Sequence, residues 1–434
     1  MQEGFLHYIW SLQYFTRSEL RTTEGETVEV FDPGMLNTHA GPDFSNARVK
    51  IGGMQWIGHV EVHLHASEWM THGHSDDQAY DTVILHVVWK EDKPVTRRDG
   101  TRLPAIELRG RVDERLIRDY RQLIGSAFSI PCQQRLPAIE PVVKSAMMGR
   151  ALAVRLEKKA QEVLKLLQFQ EGDWEETSYQ LLAGAFGFNI NREPFLQLAR
   201  TLPLKILRKQ DLAIQREALL FGQAGFLEPP KGDSYYLALR KEYQLLSHKY
   251  GLEASRLSVS QWRFLRLRPP NFPSLRIAQF CAVVGQHRSL FSRLTELRSR
   301  EELSRFFNAQ PSPYWKTHYR FSVPSVKPAH DLGQGSVEIM ITNTVAPLLA
   351  AYSQYSDQAE YMERAIRILD DIPAEENNIT RRWTDLGMPP QNAGEAQGQI
   401  ELFNTFCRGK RCLECGIGAA LLRPVKNEPG TPAA

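Results

Sequence analysis

The sequence predicts an α+β protein in which a β-rich domain, residues 1–125, precedes a larger and mostly α-helical region. Three observations lead to this class. Between about 26 and 110, the runs VEVFDPG, ARVKIGG, QWIGHVEVHLH, TVILHVVW and LPAIELRG are rich in β-branched and aromatic residues and are separated by Gly, Pro, Asp and Asn, the pattern of about five short strands. From 111 onward, runs rich in Ala, Leu, Met, Glu and Lys take over. A chain of 434 residues with 42% hydrophobic content has material for more than one core.

The elements follow in order. Phe5, Tyr8, Ile9 and Leu12 recur at helical spacing, so a short amphipathic helix opens the chain. Within the β region, Asp99-Gly100 in DGTRLP reads as a hairpin turn between the runs near Val95 and Ile106. Pro141 suits a first helical position, and a helix is predicted from there to Leu167. The helical part divides into 126–300, interrupted at LRPPNFPS, and 301–426, which begins with a loop-like stretch from Pro311 to Gly335 and ends in a cysteine cluster. The tail 427–434 is short, polar and Pro/Gly-containing, and is expected to be disordered.

Charge and composition narrow the function classes. A formal net charge of +3, from 53 basic and 50 acidic side chains, excludes a chain-wide polyanion-binding surface and leaves room for a local one. The sequence has no apolar run of the roughly eighteen residues a membrane span needs, and MQEGFLHYIW is not a signal peptide, so the expected location is the cytoplasm. Five cysteines, an odd number, do not make a disulfide scaffold.

The chemistry is expected where the histidines are. Eight of the twelve lie in the first 110 residues, and six fall between His59 and His86. In GHVEVHLH, period-two alternation sends Trp56, Val60, Val62 and Leu64 to one face and His59, Glu61, His63 and His65 to the other. A solvated strand face would draw on Thr, Lys, Ser and Glu, whereas imidazoles with a carboxylate are the set used for divalent metals and proton transfer. The following segment HGHSDDQAYD adds His72, His74, Asp76, Asp77 and Asp81, while His86, inside VILHVV, is read as a core or supporting histidine.

Asp43 in GPDF stands eighteen residues before Glu61, with a predicted strand and a Gly52-Gly53 turn between them. Asp, a hairpin, then Glu-x-His resembles the Asp…Glu-x-Lys arrangement of the PD-(D/E)xK nuclease superfamily. That resemblance implies a nuclease-like sheet behind an opening helix, with Asp43 and Glu61 holding Mg²⁺ or Mn²⁺. His63 stands at the position of the water-steering lysine, an imidazole in place of a permanent cation. His65 is a further candidate ligand, and His59, His72, His74 and Asp77 are candidates for supporting the ligands. THGHSDD also resembles the T-H-x-H-x-D-H motif of metallo-β-lactamase-fold hydrolases, with Asp77 in place of the last histidine. Taken whole, GPDFSNARVKIGG, WIGHVEVHLHASEW and HGHSDDQAYDTVILHVV, together with CRGKRCLECGIG near the end, resemble the uncharacterised bacterial family DUF2851, which implies no activity.

Cys407, Cys412 and Cys415 form C-x4-C-x2-C, one thiolate short of a closed site, and Cys132 in IPCQQR is the best fourth ligand because Cys281 lies in the apolar run IAQFCAVV. The tetrad suits Zn²⁺ or an iron–sulfur cluster. A third feature is RFLRLRPPNFPSLR, where Arg263, Arg266, Arg268 and Arg276 alternate with aromatics, a composition that fits phosphates and bases. Asn271 and Ser274 are candidate caps for the helix that follows. The function expected from all this is a divalent-metal-dependent phosphodiesterase acting on DNA or RNA. Two other readings stay open: a metallo-hydrolase using residues 59–81, and a non-catalytic interaction protein with a structural Cys–metal site.

Overall fold

The computed structural model describes residues 1–325 and 332–424, and in it each of the five predicted runs supplies a strand of one mixed sheet. The tail 427–434 lies outside the described residues. The opening helix α1 (Glu3–Leu12) is followed by β1 (Val28–Asp32), the two-residue β2 (Met35–Leu36), β3 (Phe44–Ile51), β4 (Met54–His65), a short helix α2 (Glu68–Thr71), β5 (Val83–Lys90), β6 (Ala105–Glu107) and α3 (Glu114–Gly125). The sheet order is β1-β3-β4-β5-β6, with β2 paired to β3. The first three strands of that order run antiparallel, and β5 and β6 continue parallel to β4.

Local chemistry explains the register. Gly52 and Gly53 both have positive φ, 56° and 92°, as a two-residue hairpin turn requires, and they bring Ile51 opposite Met54. The ladder between β3 and β4 slips between Phe44 and Ala47, a bulge that frees the backbone around Asp43 from regular pairing. Glu68 Oε2 accepts the backbone N–H groups of Leu64 and His65 at 2.9 and 3.1 Å, which ends β4 and starts α2. Trp69 anchors α2 in a small apolar cluster with Val83, Val88, Val95 and Leu103. The turn at Asp99-Gly100 is present, with Gly100 at φ 81° and Thr96 bridged to Arg102, but it closes a loop between β5 and β6; Ile106 pairs with Val87 of β5 and not with the run near Val95.

The period-two reading of β4 needs correction. Val60 and Val62 are fully buried as expected, yet Glu61 and His63 on the opposite face are also buried, and Trp56 is 43% exposed. The middle of β4 is covered on both sides, and its first residues project beyond the cover.

Helices fill the rest. Pro141–Phe169 is a single helix. The chain separates into two compact units, Met1–Met147 with the segment from Leu402 onward, and Met148–Glu401. The second unit is built from packed helix pairs, Trp174–Phe186 with Phe188–Thr201, Ala213–Gln223 with Ser234–Tyr250, and Ala346–Ser356 with Ala359–Asp370, around one large apolar core. Among the described residues, no helix is long and apolar enough to cross a membrane.

Gly58, where β4 passes β5, has no room for a side chain: a Cβ there would sit 2.5 Å from Ile84 Cγ2 and 2.8 Å from the Thr82 carbonyl oxygen. Gly58→Ala is therefore expected to cost about 1–3 kcal/mol, read as an earlier thermal unfolding transition. An unchanged transition would mean that the β4–β5 contact is not held as described.

Candidate functional site

The bulge at the start of β3 places Asp43 beside Glu61 and lets each carboxylate bond the other strand's backbone. The Asp43 N–H donates to Glu61 Oε2 at 3.0 Å, and the Val62 N–H donates to Asp43 Oδ2 at 3.0 Å. α1 adds two residues that the sequence reading did not single out. His7 Nε2 lies 3.2 Å from Asp43 Oδ2 and 3.6 Å from Glu3 Oε1. The signal for them was the Glu3/His7 pair at i,i+4, which puts both side chains on one side of the opening helix.

Beyond Glu61, the segment after α2 supplies imidazoles. His63 Nδ1 is 2.9 Å from His86 Nε2, and His63 Nε2 is 3.1 Å from His72 Nδ1. Glu61 Oε1 faces this group, 3.2 Å from His74 Nε2 and 3.6 Å from His63 Nε2. The His74 ring stacks on Tyr80 at 3.8 Å and meets the edge of Trp69, so the apolar cluster under α2 also fixes the position of this ligand candidate.

Two sets of donors result, each offering atoms within 4.8 Å of one another: His63, His72 and His74, and Glu3, His7 and Asp43. Glu61 links them, with one oxygen on the Asp43 backbone and the other on the imidazoles. The site grades from buried to open, since Glu61 and His63 are 4% and 1% exposed while His72 is on the surface. Nε2 of His7 and Nε2 of His74 are buried without a hydrogen bond although each lies near a carboxylate oxygen. Such crowded, unbonded nitrogens beside oxygens fit residues arranged around an ion better than a closed hydrogen-bond network.

The electrostatics agree with that fit. Burial, and then the charge of Asp43, pushes the Glu61 carboxyl up to about 8. Burial, and then His74 and His72, holds His63 down at about 4, and burial with the neighbouring His63 holds His86 at about 3. His74 is also lowered, by burial first and by His72 second. His7 moves the other way, because the Asp43 carboxylate outweighs the effect of burial. His63 beside Glu61 is thus neutral, the form that binds metals. With His63 neutral, donation from its Nδ1 to His86 would leave the Nε2 lone pair facing Glu61, His72 and His74, the arrangement by which a supporting partner orients a metal-binding imidazole.

The other expected site residues are placed as follows. His65 is half exposed at the end of β4, its Nδ1 3.6 Å from Glu68, and belongs to neither donor set. His59 is half buried and likewise outside both sets. Asp77 is exposed and caps a short turn, accepting the Ala79 N–H at 2.9 Å. Cys132, Cys407, Cys412 and Cys415 are all buried in the first unit and none is in a disulfide; Cys281 is buried in the helix Pro273–Gln286 of the second unit. Arg263, Arg266 and Arg268 are exposed. Arg276 is not a free phosphate-binding group: it is buried, lies over the Phe188 ring, and donates to Asn271, Gln279 and Ser336. Those bonds also occupy Asn271, while Ser274 donates to the Tyr319 carbonyl, so neither caps the helix, which starts at Pro273.

The chain matches the family described as Protein of unknown function (DUF2851) over residues 3–378, and it belongs to that family. The match takes in both donor sets and Cys132 and stops short of the cysteine trio. No curated protein and no solved structure matches it.

In the metal-free chain, Glu61 keeps its proton in the folded state and loses it on unfolding between its ordinary 4.5 and about 8, so folding stability falls as pH rises through that window. Glu61→Gln removes this penalty. In the presence of a chelator, the variant is expected to melt above the wild type at about pH 8 and to lose that advantage at about pH 5. Parallel pH profiles for the two proteins would show that Glu61 is ionised throughout.

Proposed function

For this member of DUF2851 we propose a divalent-metal-dependent phosphodiesterase acting on nucleic acid, with its centre in the first unit at Asp43, Glu61 and His63. The observation that carries the reading is the position of Glu61, one carboxylate between two donor sets and bonded to the backbone of the other acidic residue. The resemblance to PD-(D/E)xK nucleases supplies the reaction class. The opening helix, the Asp before a hairpin and the Glu-x-His strand occur here in that order, and α1 reaches Asp43. The open rim at His72 supports a working site, since structural metal sites are closed and catalytic ones keep a position for substrate.

Asp43 and Glu61 would hold the ion, with His74 and His72 completing the set on the imidazole side and Glu3 and His7 on the other. A divalent ion there would polarise a phosphoryl oxygen and lower the pKa of bound water. The chain's own residues do the rest. His63, buried and neutral, can orient the attacking water through Nε2, the role the lysine position has in the resembling nucleases. His7 beside Asp43 fixes the direction of that carboxylate. Three imidazoles make a poor Mg²⁺ site and a good one for Mn²⁺ or Zn²⁺, so Mn²⁺ is the favoured member of the expected pair.

A second reading is favoured by the triplet His63, His72 and His74 alone: a metallo-hydrolase working from the 59–81 segment, without Asp43. One assay separates the two. The full chain, stripped with chelator and reloaded with Mn²⁺, Mg²⁺ or Zn²⁺, would be tested on bis(p-nitrophenyl) phosphate and on single- and double-stranded DNA and RNA. Mn²⁺-stimulated cleavage is expected, reduced by about 10²-fold or more in Asp43→Asn and Glu61→Gln. Cleavage that survives Asp43→Asn and disappears in His72→Ala would move the chemistry to the imidazole triplet. Metal binding with no cleavage of any substrate would leave the interaction-protein reading.

A further inference from the structure

We propose that Cys132, Cys407, Cys412 and Cys415 together bind an iron–sulfur cluster, a second inorganic site in the first unit that does not depend on the hydrolytic reading. The four thiols come from segments nearly 300 residues apart and are brought together by specific contacts. Lys410 Nζ donates to the Ile124 carbonyl at 2.7 Å, and Arg135 Nη2 donates to the Leu421 carbonyl at 3.2 Å. The Gly416 N–H rests against Met147 Sδ at 3.2 Å. These bonds seat the C-terminal segment on the end of α3, the loop that follows it and the start of the helix Pro141–Phe169.

Within the C-terminal segment the backbone turns the sulfurs inward. Cys407 closes the wide helical turn Leu402–Cys407, and the chain then reverses through Lys410, whose φ is 50°, with the Lys410 N–H returned to the Cys407 carbonyl at 3.1 Å. The Cys415 N–H returns to the Cys412 carbonyl at 3.4 Å. Gly418 packs directly on that turn, where a Cβ would lie 2.0 Å from the Cys412 carbonyl oxygen, so the position admits no side chain. On the other side, the Arg135 N–H donates to the Cys132 carbonyl at 2.9 Å and shapes the loop that presents the fourth thiol.

Two properties then decide what the group is for. All four thiols are buried, at 7–8% exposure, and none is oxidised to a disulfide. Four buried thiols on two segments that are bonded to each other make a ligand set for an inorganic group.

Spacing selects the kind of cation. A single Zn²⁺ with bonds of about 2.3 Å draws its four sulfurs to roughly 3.8 Å from one another. No three of these sulfurs fall in a group within 4.8 Å, although the described residues include all four and the imidazole triplet meets that limit. Thiolates around an iron–sulfur cluster stand on different irons and lie farther apart, roughly 6–7 Å in a cube, and four of them complete its ligation. Sulfurs not gathered at the zinc spacing favour the cluster.

The test uses the full chain purified without oxygen. Iron and acid-labile sulfide in equal amounts are expected, with a broad visible absorption that bleaches on reduction and is lost in Cys132→Ser and Cys412→Ser but kept in Cys281→Ser. Because the serine variants could fail to fold, the wild-type protein carries a second readout: alkylation under native conditions should spare the four thiols until the cluster is destroyed by oxidant. Stoichiometric zinc without iron would overturn the cluster in favour of a compact zinc site. Metal-free protein whose four thiols alkylate freely would overturn the site altogether.

Discussion

Two carboxylates exchange backbone bonds across one strand pair, and the arrangement of the whole site depends on that exchange. Asp43 accepts the N–H of Val62 while Glu61 accepts the N–H of Asp43, at the bulge where the β3–β4 ladder has slipped and regular partners are missing. Hydrogen bonds of this kind contribute about 0.5–1.5 kcal/mol each, and more where the acceptor is ionised. They are opposed by burial and by the repulsion of two acids at close range, and the opposition is visible in the raised pKa of Glu61. A positive charge between the acids would remove the conflict. On the Glu61 side His63 does not provide one, since burial and its neighbours hold it neutral, whereas on the Asp43 side His7 is shifted toward its charged form.

The clasp also explains why the surrounding elements have to be where they are. Glu61 cannot turn away from His63 and His74 while its other oxygen is tied to Asp43, and Asp43 cannot turn away from α1 while it is tied to Val62. The imidazoles in turn depend on an apolar support. Trp69 holds α2 against Val83 and Val88, and the chain leaves α2 with His72 and His74 pointed back over β4. Packing, backbone satisfaction and candidate chemistry are therefore one structure in this region, and a change in any of the three is felt by the other two.

Much of this was legible in the sequence. The five strand runs, the Gly52-Gly53 turn and the approach of Asp43 to Glu61 follow from local composition and from the two-residue repeat, which act over short distances. What escaped was tertiary. Alternation separates two faces of β4 without saying what covers either, so the polar face could be read as the place of the chemistry, but not that Glu61 and His63 would be buried on it. Glu3 and His7 sit about 40 residues before Asp43, and only the fold brings them to it. Arg276 shares its sequence context with three exposed arginines, but it starts inside a helix and points into the core, where Asn271, Gln279 and Ser336 satisfy it. Conversely, Cys281 could be set apart from the other cysteines on sequence grounds because a thiol in an unbroken apolar run has nowhere to go but the core.

Donor chemistry carries the synthesis one step further. The first unit contains two candidate donor sets of opposite character, imidazoles and carboxylates at one place and the four cysteines proposed as ligands at another. Soft sulfur donors select iron–sulfur clusters or zinc, while mixed nitrogen and oxygen donors suit borderline divalent ions, so the two sets do not compete for the same inorganic partner. Both sets draw on widely separated segments, α1 with β3 for one and the α3 loop with the C-terminal turn for the other. An ion in either place would bind the folded arrangement and not the unfolded chain, and so would add its binding energy to the stability of the unit. The acid–imidazole set is open at His72 and the four cysteines are buried, which matches the proposed distinction between a site that admits a substrate and one that excludes water.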